Sequence, residues 1–198
     1  MSEAPLVTPE QDSPTIIIDQ ATPSDVEDIV EIRKQGWLSA YPNEELGITE
    51  DDIRKRIEGE HGEVIRLAIE RWREGLKTET GLKRTSFVAR LNGKVVGFTA
   101  PRITDDSQRR VGALYVLPEA QGSGVGTKLL QSAVDWHGRD NDIYLHVVSY
   151  NQKAIDFYEH FGFEKTGQEI LDDHTIGDNK VLPEIEMVLR ASESKRNT

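Results

Sequence analysis

Residues 109–130 read RRVGALYVLPEAQGSGVGTKLL, and three kinds of local physics meet there. Arg109–Val116 has the composition of a strand that must end before Pro118. Gln121-Gly122-Ser123-Gly124-Val125-Gly126 follows as a glycine loop, after which Leu129, Leu130, Ala133 and Trp136 recur at helical spacing. A strand running through such a loop into a helix presents consecutive unpaired N–H groups at the positive end of a helix dipole, an arrangement that suits phosphate.

Working outward, residues 143–149 read as another strand, and Asn151 caps a helix that carries Ala154, Phe157, Tyr158 and Phe161 on one side and stops at Gly162. Residues 163–170 and 184–190 supply two closing strands. Upstream, residues 86–91 and 94–100 flank Asn92-Gly93, a pair suited to a type I′ hairpin. Before residue 80 the period becomes helical. A short strand at 15–19 precedes Thr22-Pro23-Ser24-Asp25, which starts a helix to about Ser39 with Val26, Ile29, Val30 and Trp37 on one stripe. Thr49 and Asp52 resemble a capping box, with Ile48 and Ile53 as its hydrophobic staple, and residues 49–76 read as a bent or broken pair of helices.

The 198 residues are 36% hydrophobic and 30% charged, which suits one α/β domain over 15–190 with loose tails at 1–14 and 191–198. A net charge of -11 argues against binding nucleic-acid phosphates, and no apolar run is long enough for a membrane span. The first residues lack the pattern of a signal peptide, so a cytoplasmic location is expected. With no Cys there is no disulfide, no thiolate metal site and no cysteine nucleophile; the five His lack ligand spacing, so no metal is expected. Residues 81–130 nonetheless carry +5, a basic island around the glycine loop.

Three phosphate-binding loops compete for 121–128. A Walker loop needs Gly-Lys-Ser/Thr, but Gly126-Thr127-Lys128 inserts a threonine. A dinucleotide fingerprint needs glycines at relative positions 1, 3 and 6, whereas Gly122, Gly124 and Gly126 fall at 1, 3 and 5. A loop that merely turns the chain is the bland alternative. Gln121-x-x-Gly124-x-Gly126 fits a third pattern, the pyrophosphate loop of the Gcn5-related N-acetyltransferases, which the sequence resembles. Leu114-Tyr115-Val116-x-Pro118 before the loop and Asn151-x-x-Ala154-x-x-Phe157-Tyr158-x-x-x-Gly162-Phe163 after it extend the resemblance over roughly 85–190.

That resemblance implies a mixed, mostly antiparallel sheet of six or seven strands, opened by a central parallel splay and covered by helices on both faces. It implies acetyl-coenzyme A as co-substrate, held by Leu114, Tyr115, Val116, Gln121, Gly122, Ser123, Gly124, Val125, Gly126, Thr127 and Asn151, with amides near Val116 facing the thioester carbonyl. Tyr158, seven residues after Asn151, stands where the family has its proton donor; a core aromatic is the competing reading. His146 stands where some relatives carry a glutamate base, and its departure from that pattern leaves a sheet-lining histidine as the alternative. Trp37, Tyr41, Glu44, Glu45, Asp51 and Asp52 fall where the family lines its acceptor groove, which suggests a small cationic amine; a solvated acidic face is the alternative. A protein amino terminus as acceptor, and a non-catalytic acyl-coenzyme A-binding module, remain the other readings. A homodimer is an admissible assembly.

Overall fold

The computed structural model describes residues 15–59, 61–78, 83–176 and 180–192; the tail expected at 1–14, and residues 193–198 of the other, lie outside them. The strands are β1 (Ile16–Gln20), β2 (Phe87–Leu91), β3 (Lys94–Ile103), β4 (Arg109–Val116), β5 (Ile143–Val148), β6 (Glu164–Ile176) and β7 (Lys180–Leu189). The helices are α1 (Val26–Ala40), α2 (Glu50–Glu58), α3 (Glu63–Thr78), α4 (Val125–His137) and α5 (Gln152–Phe161). All seven strands join one sheet in the order β1-β2-β3-β4-β5-β7-β6. Each neighbouring pair is antiparallel except β4 with β5, so the expected mixed α/β architecture is present.

Local sequence accounts for much of this. Asn92 and Gly93 both take positive φ, 50° and 82°, as a type I′ turn demands, and they place Leu91 opposite Lys94. The Asp52 N–H donates to Thr49 Oγ1 at 3.1 Å while the Thr49 N–H donates to Asp52 Oδ2 at 2.9 Å, closing the capping box. Ile48 and Ile53 are buried as its staple. Pro23 opens a single 3-10 turn, Pro23–Asp25, before α1 begins. Asp25 is buried there, which by itself raises its pKa, but hydrogen bonds from the Thr22 N–H (2.9 Å) and Arg90 Nη2 (2.7 Å) outweigh burial and hold the carboxyl below its ordinary range. The expected bent pair of helices resolves into α2 and α3, parted by Gly59 and Gly62.

The two closing strands are longer than the sequence suggests: β6 continues to Ile176 and β7 starts at Lys180 rather than 184. Pro183 hides this continuation because a proline cannot donate to a ladder. It sits opposite Leu171, where the pairing shifts register before Thr175. Beyond β7 the chain stays tied down, with the Ala191 N–H donating to Asp142 Oδ1 at 2.8 Å.

Helices α4 and α5 cover one face of the sheet, where Leu130, Val134 and Ile155 pack on Ile143, Leu145 and Met187. Helices α1 to α3 cover the other, with Ile29 and Ile32 against Val88 and Phe98, and Trp37 and Ile53 against Val148 and Leu182. Burying each such large apolar side chain contributes about 1.5–3 kcal/mol. Among the described residues no helix is long and apolar enough to cross a membrane.

Candidate active site

The sheet opens at its parallel seam. Arg109 pairs with Ile143 and Arg110 with Tyr144, and the register of β4 with β5 ends there. From Val111 onward β4 is paired with β3 alone, while β5 continues along β7. The two parallel strands therefore part, and a cleft of 1440 Å³ occupies the gap between them. A bulge adds to the divergence. Pro101 faces Val111 and Thr99 faces Leu114, so Ala100 stands opposite both Gly112 and Ala113. A Cβ on Gly112 would lie 2.9 Å from the Ala100 carbonyl oxygen, which explains glycine at that position. The extra residue also inverts the side-chain alternation. Arg110 and Tyr115, five residues apart, consequently share the face covered by α1.

On one side of the cleft lies the glycine loop. Gly124 takes φ 89° and ψ −1° as the residue before α4, a left-handed conformation costly for any side chain bearing Cβ. None of the backbone N–H groups of 122–127 has a hydrogen-bond partner among the described residues. The loop is held from behind: Gln121 Nε2 donates to the Val116 carbonyl at 3.1 Å, Lys153 Nζ donates to Gln121 Oε1 at 2.5 Å, and Ser123 Oγ donates to the Ala120 carbonyl at 2.6 Å. A row of free donors at a helix N-terminus, with an ammonium beside it, fits a pyrophosphate. Leu114, Tyr115, Val116, Gln121, Gly122, Gly124, Gly126 and Thr127 line the cleft, whereas the side chain of Val125 is buried in the core and Ser123 does not line the cleft. Asn151 lines it too, while its Oδ1 accepts the Ala154 N–H at 3.2 Å and caps α5.

Tyr158, on α5, is 8% exposed, and its ring packs edge-on against Phe157 and Phe163. It lines the cleft, and its hydroxyl has no hydrogen-bond partner among the described residues. Burial, with a smaller contribution from Tyr115, raises its pKa well above the ordinary tyrosine value, so the hydroxyl keeps its proton at neutral pH.

The other half of the cleft is aromatic. Trp37 Nε1 donates to Tyr115 Oη at 2.9 Å, the Tyr41 and Tyr115 hydroxyls are 3.0 Å apart, and Tyr150 Oη donates to the Tyr41 carbonyl at 2.7 Å. The Arg33 guanidinium lies over the Trp37 ring at 4.8 Å. Burial raises the pKa values of Tyr41 and Tyr115 also.

At the seam, His146 projects from the face opposite Ile143, Leu145 and Val147, as alternation predicts. It meets three charged side chains. Arg110 touches its ring, Glu186 Oε2 lies 3.5 Å from its Nε2, and Glu184 Oε2 lies 3.6 Å from its Nδ1. Arg110 Nη2 reaches Glu186 at 3.3 Å. Sequence reading passed over Arg110, Glu184 and Glu186. The alternation Glu184-Ile185-Glu186-Met187 could have put both acids on one face; the register that sets Glu186 beside His146 could not be read from it.

The acidic stretch expected to line the acceptor groove is only partly there. Trp37 and Tyr41 line the cleft, but Glu44, Glu45, Asp51 and Asp52 do not. Asp52 is occupied by its capping box and by Lys180 Nζ at 2.9 Å; the Thr49 backbone bond first and the lysine next hold its pKa at about 2. Among the described residues no group of three or more acidic or histidine side chains is placed to hold a metal ion.

Comparison with known proteins matches this arrangement to one family. The chain is similar to the uncharacterised N-acetyltransferase YhfO of Bacillus subtilis, with 33% identity over 85 residues, 39% of this chain and 57% of that protein. It is also similar to N-alpha-acetyltransferase 50 of Danio rerio, with 37% identity over 84 residues, 39% of this chain and 49% of that one. The chain thus spans about half the length of these curated relatives. Its fold is like that of the PaiA N-acetyltransferase of Thermoplasma acidophilum, solved in complex with coenzyme A, at a TM-score of 0.63 and 20% identity, covering 89% of this chain and 99% of that one. The model of the acetyltransferase (GNAT) family matches residues 48–163, more than half of the chain. This chain belongs to the acetyltransferase (GNAT) family.

Proposed function

We propose that the protein transfers an acetyl group from acetyl-coenzyme A to a primary amine by direct attack, without a covalent enzyme intermediate. The observation that carries this reading is the run of unpaired amides at 122–127 beside a cleft that opens where β4 and β5 part. Those amides and Lys153 would hold the pyrophosphate, and the free edge of β4 would pair with the peptide-like arm as an added strand does. The bound coenzyme supplies an activated thioester. Amides near Val116 would meet the negative charge that develops on its carbonyl oxygen.

The remaining chemistry falls to side chains. An alkyl ammonium with a pKa of about 10.4 must lose a proton before it can attack, and His146, at the seam of the cleft, would take it. Tyr158 would give its proton to the sulfur as the carbon–sulfur bond breaks, and regain one from the nitrogen as the carbon–nitrogen bond completes. Its raised pKa favours that role because a donor must arrive protonated.

A small amine is the favoured acceptor because aromatic rings crowd the wall of the cleft around Tyr115. The likeness to N-alpha-acetyltransferase 50 favours a protein amino terminus as the second reading. A thiol-release assay over small amines and short peptides separates the two. An acyl-coenzyme A-binding module without activity would bind coenzyme yet release thiol with none of them.

A further inference from the structure

Three arginines stand side by side across the sheet. Arg84 pairs with Arg102 in an isolated bridge, and Arg102 on β3 stands opposite Arg110 on β4. Residues directly opposite in a ladder share a face, so like charges there repel. Arg110 is compensated by Glu186 at 3.3 Å. Arg84 and Arg102 enter no ion pair among the described residues. Arg102 lines the cleft, whereas Arg84 does not. Gly112 makes room for it: a Cβ there would lie 3.5 Å from both Cδ and Nε of Arg102. The arginine stem therefore lies across β4 at the bulge, close to where the parallel strands part. Another guanidinium comes from α1. Arg33 lines the cleft above the Trp37 ring, and it too enters no ion pair among the described residues. Burial raises the Tyr115 pKa, and the Arg33 charge partly offsets that rise, which places this charge within reach of β4.

Resting on the acetyl-transfer reading above, we infer that Arg102, with Arg33, binds a carboxylate of the acceptor, which is therefore a free amino acid. A guanidinium fork matches a carboxylate, and an anion there relieves the repulsion along the arginine row. The polarity of the cleft agrees. Its carboxylates among the described residues are Asp106 and Glu184. Asp106 belongs to the exposed turn after β3 and is bound by Thr104, whereas Glu184 is 3.6 Å from His146. Glu184 and His146 thus mark the end where an ammonium would lose its proton, and the guanidiniums mark the other. A zwitterion meets opposite charge at both ends, while a simple amine gains nothing at the second. Arg102 and His146 project from β3 and β5, with β4 between them, so α-amino and ω-amino acids share the required chemistry.

The test begins by titrating coenzyme A into the wild-type protein; absence of binding there defeats the acetyl-transfer reading and this inference with it. Thiol release is then followed with L-leucine against L-leucinamide and with 6-aminohexanoate against 6-aminohexanamide, pairs that differ only at the carboxylate. In one pair, kcat/KM of wild type should be at least about tenfold higher for the acid than for the amide, and that pair tells an α-amino from an ω-amino acid. Arg102→Gln should bring the ratio to within about twofold of unity, whereas Arg102→Lys, which keeps the charge, should retain about threefold or more. Damage to the fold alone would slow acid and amide alike and leave the ratio standing. Arg84→Gln, outside the cleft, should keep the wild-type ratio. Should Arg102→Gln fail to fold, Arg33→Gln decides, with an expected fall in the ratio of about threefold or more. The inference is overturned if wild type uses the amides as well as the acids in both pairs, in which case acetyl transfer stands and only the acceptor class falls. It is overturned equally if coenzyme binds but none of the four acceptors reacts, or if folded Arg102→Gln keeps the wild-type ratio.

Discussion

The two halves of the cleft are built on different principles. On the side of β4, the glycine loop, α4 and α5, the groups proposed to bind are backbone amides presented by a contiguous piece of chain, and side chains serve mainly to hold that backbone in place. On the side of α1, β5 and β7, the groups that line the cleft are side chains from distant parts of the sequence: Trp37 comes from α1, while His146 and Glu184 meet only through the register of β5 with β7. The first kind of site tolerates variation in residue type but depends on conformation. The second depends on each side chain and on the alignment of the strands that carry it.

The comparison is most sharply tested by Tyr158, which stands in the first half yet, in the proposed reaction, would act through its side chain. Tyr158→Phe should lower turnover about 100-fold while leaving coenzyme affinity unchanged, as steady-state rates and calorimetry would show. A loss of coenzyme affinity instead would mean that this half also binds through side chains.

His137 joins the halves. Its Nε2–H donates to the Arg110 carbonyl at 3.0 Å, and its Nδ1 is buried without a partner. Burial depresses its pKa to about 4. Between that value and the ordinary value of about 6.5 the unfolded chain binds more protons, so stability is fully present above the unfolded value and is lost as pH falls. Urea unfolding should show this group removing about 2 kcal/mol between pH 8 and pH 5, and His137→Gln should flatten that slope.

A smaller effect is expected at His146. His146→Ala should reduce turnover about tenfold at pH 7 and abolish the acidic limb of the pH–rate profile, whereas a histidine that only lines the sheet would leave that limb in place. The smallest effect belongs to the acidic stretch outside the cleft. Glu44→Gln and Glu45→Gln should leave the KM for any amine within about twofold of wild type, since exposed charges at a distance contribute little.

The same division explains what could be read from the chain. The type I′ hairpin, the Thr49–Asp52 capping box and the loop from Gln121 to Gly126 are each set by residues within a few positions of one another, so local rules suffice. The closing strands expected at 163–170 and 184–190 fall short of β6 and β7, since Pro183 cannot donate to a ladder and only a register shift near Leu171, invisible to local rules, accommodates it. The bulge opposite Ala100 leaves no mark beyond Gly112, and without it Arg110 and Tyr115 would be placed on opposite faces. Glu184 stayed hidden because its partner, His146, is known only once β5 and β7 are aligned.

The most direct test of the account is the affinity of coenzyme A for wild type and for Gly124→Glu. A Cβ at Gly124 would meet no heavy atom within 4 Å beyond its chain neighbours, so the fold has room for a side chain to start there, although the left-handed backbone is strained for it. The variant would then carry a negative charge in the loop whose free amides are proposed to hold the pyrophosphate. Calorimetry on protein whose folding is verified by its thermal transition should show binding to wild type weakened at least about tenfold in the variant. Equal affinity in the two proteins, or no binding to either, would contradict it.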